Sequence, residues 1–252
     1  MFVVHSGVII PPDDFVRESV DAVRKGGGLF IADEVQTGFG RLGTSFWAFE
    51  QGNHGIVPDI VTVGKPFGNG MSLGAVVMTR AVADRFDALG VEYFNTFGGS
   101  PVAAAAGLAV MDVLESEDLQ NHALETGEYL KENFWKSQNN NRDESKNTEQ
   151  PQNVCIGDIR GSGLFLGIEL VRDQETKEPA VIETSLVCTL LKQKYDILTS
   201  IDGLHENVLV VKPPLVFSEA DADYFLESFT KASDKVNLLT KKEIAAITKT
   251  PT

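Results

Sequence analysis

Apolar positions recur at helical spacing through "PPDDFVRESVDAVRKGGG" (11–28), at Phe15, Val16, Val20 and Val23. This spacing predicts an amphipathic helix. Pro11 and Pro12 precede it, acids fill its first turn, and Arg24 and Lys25 stand in its last turn before a run of glycines. The pattern then changes period. "LFIADEV" (29–35) is an unbroken apolar run closed by two acids, which predicts a short strand. "DIVTVGK" (59–65) is β-branched at Ile60, Val61, Thr62 and Val63 and predicts a second strand; "GAVVMT" (74–79) predicts a third. Helical spacing returns after "GGSP", where small residues at 102–106 lead into Leu108, Val110, Met111, Val113 and Leu114. A further helix, about 118–136, carries Leu119, Leu124, Tyr129, Leu130, Phe134 and Trp135.

The stretch "SQNNNRDESKNTEQPQN" (137–153) holds no large apolar residue and is expected to be a disordered surface loop. Beyond it, "LFLGIELV" (164–171) predicts a strand, 180–194 a helix, and "VLVVKP" another strand. A last helix opens in "SEADADYFLESFTKA" with a capping pattern at Ser218. Alternating helices and strands predict an α/β layer with mostly buried strands. The organisation expected is two domains, 1–117 and 118–252, with the boundary near 115–120.

Bulk composition narrows the function classes. The chain has 252 residues, enough for a real core and two subdomains. Its 36 acids against 22 bases give a net charge of −14, which argues against nucleic-acid binding. Cys155 and Cys188 form neither a disulfide framework nor a metal spacing, so a reducing compartment is expected. His5, His54, His122 and His205 are scattered without partners at ligand spacing, so no metal site is expected. No apolar run has the length of a membrane span. "MFVVHSGVIIPPDDF" has no basic n-region or cleavage pattern, so it does not read as a secretory signal; it reads as a domain entered in mid-fold.

Four stretches carry candidate chemistry. "GFGRLG" (38–43) has the spacing G-x-G-x-x-G, but "TSFWAFEQGN" follows instead of a crossover helix, so a dinucleotide grip is not expected. Asp33 is either a strand-end carboxylate capping a turn or an acid for a protonated cofactor ring nitrogen. Lys65 is either a strand-end lysine reaching solvent or an amine held for Schiff-base chemistry beside Gly64 and Pro66. In "YFNTFGGSP" (93–101), Thr96 and two glycines beside a helix start suit phosphate oxygens.

Together, "IADEVQTGFGRLG", "PDIVTVGKPFGNGMSLGAVV" and "FNTFGGSPVAAAAGLAVMDVLE" resemble the class-III aminotransferases, pyridoxal-phosphate (PLP) enzymes of fold type I. "IGDIRGSGLFLGIELV" is similar to the start of that family's C-terminal domain, and the likeness runs from about residue 8 to 230. It is closest to the branch of ethanolamine-phosphate and phosphohydroxylysine phospholyases and their alanine–glyoxylate aminotransferase relatives. The resemblance implies a truncated large domain with a mostly parallel sheet, plus a smaller α+β C-terminal domain. It implies PLP as cofactor, with Lys65 as the Schiff-base lysine, Asp33 at the pyridine nitrogen and Gln36 near the ring 3-hydroxyl. Thr96 would reach the cofactor phosphate of a neighbouring subunit, so a homodimer is expected. Glu34 is expected to tie down the loop that starts at Thr37. The substrate would be a small amine or amino acid, with no nucleic acid and no membrane, in cytosol or mitochondrion and not secreted. Transamination is the leading outcome; phosphate elimination and a catalytically incompetent fragment are the alternatives.

Two departures from the family pattern bear on this. Most of the family's front half is missing, including the glycine- and serine-rich loop for the cofactor phosphate and the aromatic residue that stacks on the ring. A large domain cut through its sheet is expected to leave unpaired edges and exposed apolar surface. The arginine that grips a substrate carboxylate in many members falls at Val210, with Lys212 two residues on. That loss weakens the α-amino-acid reading.

Overall fold

The computed structural model describes residues 7–52, 55–140 and 154–239. His5, His54 and residues 141–153 of the expected loop lie outside the described residues. The described residues divide into two compact units, residues 10–123 and a second made of residues 7–9 with 124–239.

The first unit opens with helix α1, Phe15–Lys25. Its apolar stripe is only partly used: Val20 is buried, whereas Phe15 and Val23 are exposed. Arg24, in its last turn, reaches the Val57 carbonyl at 2.6 Å and Asp59 at 3.1 Å. Strands β1 (Ile31–Asp33), β2 (Ile60–Val63) and β3 (Ala75–Met78) form one sheet in that order. β1 and β2 run parallel, with Asp33 opposite Thr62; β2 and β3 run antiparallel. Helix α2, Arg80–Asp87, was not expected from the sequence. Helix α3, Pro101–Ser116, starts with Ser100 accepting a hydrogen bond from the Ala103 amide at 3.4 Å. Ile31, Val76 and Val77 on the strands and Val102, Leu108 and Met111 on α3 are exposed. Strands of a doubly covered layer bury such residues, so this unit presents the open apolar surface that an incomplete layer would.

Helix α4, Leu119–Asn140, contains the unit boundary. It runs to Asn140, so residues 137–140 are helical where a loop was expected. The 137–140 segment, Ser-Gln-Asn-Asn, contains neither Gly nor Pro to stop the preceding helix.

The second unit is a four-stranded antiparallel sheet of β4 (Cys155–Ser162), β5 (Phe165–Val171), β6 (Ser200–Asp202) and β7 (Val208–Val211), in the order β4-β5-β7-β6. Helices α5 (Val181–Tyr195) and α6 (Glu219–Asn237) complete it. Its core joins Leu130 and Phe134 of α4, Leu166, Ile168 and Leu170 of β5, Leu191 of α5, and Phe225 and Phe229 of α6, all buried. Phe134 meets Phe225 and Phe229 edge-on, at ring separations of 5.7 and 5.2 Å. The Ser218 hydroxyl accepts from the Asp221 amide at 3.2 Å, and Asp221 accepts from the Ser218 amide at 3.0 Å, the capping expected at the start of α6. Among the described residues, no helix is long and apolar enough to cross a membrane.

Two ion pairs make the fold testable. Arg172 forks onto the buried Glu183 at 2.9 and 3.0 Å. Arg172→Ala leaves that carboxylate buried without its cation and should cost about 3–5 kcal/mol, read from the denaturant midpoint of unfolding. Asp59 accepts from the Phe30 amide at 2.8 Å and from Arg24, which hold its carboxyl below the usual range. A depressed folded-state pKa contributes stability above the ordinary aspartate value of about 4, which is lost as pH falls through the lower folded value. Asp59→Asn should therefore be the less stable form at neutral pH and converge with the unaltered chain in acid, measured as unfolding midpoints across pH.

Candidate active site

Three of the four candidate residues, Asp33, Gln36 and Lys65, lie at or just beyond the carboxyl ends of β1 and β2. Asp33 ends β1, and Lys65 follows β2 by two residues. Since β1 and β2 are parallel, both lie at the carboxyl ends of neighbouring strands, where α/β sheets present ligand-binding groups. Thr62 stands opposite Asp33 in the register and donates its hydroxyl to Asp33 Oδ1 at 3.0 Å. The Val35 amide reaches the same oxygen at 3.1 Å. Among the described residues, both hydrogen bonds to this carboxylate fall on Oδ1, so Oδ2 faces outward as an open acceptor. Thr62 was read only as a strand residue; the β-branched run hid a hydroxyl that orients the acid.

Lys65 opens a 3-10 turn, Lys65–Phe67, and its side chain is exposed. Its own φ is +31°, a conformation that costs a non-glycine residue energy. The Phe67 amide closes the turn onto the Gly64 carbonyl at 2.8 Å. Gln36 is half-buried in the turn just after β1. Thr96 stands apart, exposed in the segment that precedes α3. Among the described residues it makes no hydrogen bond with Asp33, Gln36 or Lys65. The fold therefore brings Asp33, Gln36 and Lys65 to the ends of paired strands and leaves Thr96 facing solvent.

Glu34 points the other way from Asp33, as alternation along a strand requires. It is buried and accepts three hydrogen bonds: the Thr37 hydroxyl at 2.8 Å, the Ala48 amide at 3.0 Å and the Phe49 amide at 2.9 Å. Glu34 thus ties down both ends of the loop, as expected for the segment from Thr37. The glycines of that loop serve packing. A Cβ at Gly38 would lie 2.9 Å from the Trp47 ring. A short 3-10 turn, Ala48–Glu50, follows the loop in place of the crossover helix a dinucleotide grip would need.

An aromatic cluster grows from the loop. Phe39 stacks on Phe67 with ring centroids 5.1 Å apart and an interplanar angle of 17°. Phe46 and Trp47 meet Phe39 edge-on at 5.5 and 5.3 Å. In the second unit, Val210 is a buried β7 residue opposite Gly167, and Lys212 is exposed just past the strand.

Comparison with known proteins places this geometry. Residues 4–233 match the family described as Aminotransferase class-III. The chain is 47% identical over 223 residues to an alanine–glyoxylate aminotransferase 2-like protein of Drosophila melanogaster, covering 88% of this chain and 42% of that protein. It is 44% identical over 237 residues to ethanolamine-phosphate phospho-lyase homolog 1 of Caenorhabditis elegans, covering 93% and 47%. A solved phospholyase from Arthrobacter in complex with phosphoethanolamine superposes with a TM-score of 0.81 at 35% identity, covering 92% of this chain and 51% of that one. The chain thus spans about half the length of the curated relatives it matches. With its fold and the family's sequence over most of its length, the chain belongs to the class-III aminotransferases.

Proposed function

We propose that this chain carries the lysine-bearing part of a PLP-dependent enzyme of transaminase type, acting on a small amine or amino acid through Lys65. The observation that supports this reading is the pairing of Asp33 and Lys65 at the ends of parallel strands β1 and β2, inside a class-III aminotransferase sequence. The donor set fits PLP: an exposed amine for its aldehyde, and a carboxylate with one open oxygen for its ring nitrogen. When bound, PLP supplies an electron sink that acidifies the substrate carbon bearing the nitrogen. Asp33 Oδ2 would hold the ring nitrogen in its protonated form, while Thr62 and the Val35 amide fix the carboxylate through Oδ1. Lys65 Nζ takes the proton from the substrate carbon and returns it. Gln36 would hold the ring hydroxyl. Thr96, exposed beside Gly98 and Gly99, would hold the cofactor phosphate of a second copy, which would make the working form a homodimer. Residues 1–117 are then the remainder of the cofactor domain, and 118–252 the small domain.

A phospholyase is the second reading, and two observations favour it. Two of the similar proteins described above are named phospho-lyases. Val210, at the family's carboxylate-arginine position, is a buried strand residue and offers no cation to a substrate carboxylate. Elimination of phosphate needs the same proton transfer by Lys65, so the two outcomes divide on substrate. Incubation with PLP and ethanolamine phosphate, with released phosphate and transferred amino groups counted separately, decides between them. Amino-group transfer is expected under the first reading; phosphate release without it favours the second. Under both, Lys65→Ala should lower turnover at least about 100-fold. Turnover that survives Lys65→Ala overturns both.

A further inference from the structure

The loop that resembled a phosphate grip has a different use. Its Phe39 has φ +62°, a strained conformation for a bulky residue, and is almost fully buried. That conformation lays its ring flat on Phe67, two residues after Lys65. Helix α3 also packs on Phe67: a Cβ on Gly107 would lie 3.0 Å from its ring. Phe67 is thus held by both the loop and α3. It belongs to the turn whose first residue, Lys65, is itself strained at φ +31°. Strained residues persist where their surroundings over-determine them. The loop that supplies Phe39 is fastened by the three hydrogen bonds on Glu34.

We propose that the Phe39–Phe67 stack is a positioning device for Lys65, holding the strained turn so that the amine is presented in one place. As a statement about the reacting lysine it rests on the function proposed above; as a statement about the turn it does not. Phe39 and Phe67 act through the turn and touch no reacting atom. A ring stack of this kind contributes about 0.5–1.5 kcal/mol, so its loss shifts a local equilibrium about two- to tenfold.

The test has two readouts on the full chain. The first is amide hydrogen exchange without cofactor. Phe39→Leu keeps an apolar side chain but removes the stack. Protection should fall about two- to tenfold at the Phe67 and Asn69 amides, which bond to Gly64 and Lys65, and hold at Glu34, which bonds to Thr62. Unchanged turn protection, or an equal fall at Glu34, overturns the proposal. If Phe39→Leu does not fold, Phe67→Leu carries the same test. The second readout is the rate at which PLP with borohydride marks Lys65, followed by peptide mass spectrometry well below melting. Each single variant should slow marking by a similar factor, and the double variant no further. Additive losses, or marking at the unaltered rate, overturn the positioning role. If Lys65 is never marked while turn protection still falls, the cofactor reading fails and the stack's hold on the turn stands.

Discussion

The hydrogen bonds on the buried carboxylate of Glu34 are the constraint on which the candidate site depends. A carboxylate taken out of water is costly unless its oxygens are satisfied. Here the Thr37 hydroxyl and the Ala48 and Phe49 amides satisfy it. They come from both ends of one loop, so the electrostatic demand of one side chain fixes the path of the chain between them. That path sets Phe39 over Phe67 and leaves Gly38 no room for a side chain. The neighbouring acid, Asp33, uses the opposite face of the strand and a different set of donors. Two adjacent carboxylates thus divide the work: one builds the scaffold, and the other is aimed outward with an oxygen open.

The two units are stabilised differently. In the second, β5 is buried along nearly its whole length, and Leu130, Phe134, Phe225 and Phe229 are buried in the same unit. Arg172 neutralises the buried Glu183 with two parallel hydrogen bonds. In the first unit the sheet is short and its apolar residues lie partly in the open, as with Val76 and Val77 on β3. Its order rests on local devices: Asp59 joining Arg24 to the Phe30 amide, Glu34 fastening the loop, and the aromatic cluster around Phe39. A site built on such a unit draws its precision from hydrogen bonds and ring contacts more than from buried area.

Much of this was legible in the sequence, for reasons that can be stated. β2 announced itself by a β-branched run and α6 by its cap at Ser218, because propensity and tertiary environment agree there. β4 gave no such signal. "CIGDIRGS" is interrupted by Gly157, Asp158 and Gly161, and it becomes a strand through its pairing with β5. β6 has only three residues and α2 eight, too few for periodicity to emerge. In the candidate site, Asp33, Gln36 and Lys65 were proposed through motif resemblance. Thr62 and the Phe39–Phe67 contact were not, since a hydroxyl across a strand pair and a stack across 28 positions leave no local pattern.

We propose Lys65 and Asp33 as a site for PLP. The direct measurement is a visible-absorbance titration of the purified chain with PLP, run beside Lys65→Ala and followed by borohydride reduction. The expected result is a band that needs Lys65 and becomes a stable adduct on reduction. A band of equal strength in Lys65→Ala, or an adduct spread over other lysines and absent from Lys65, would contradict it.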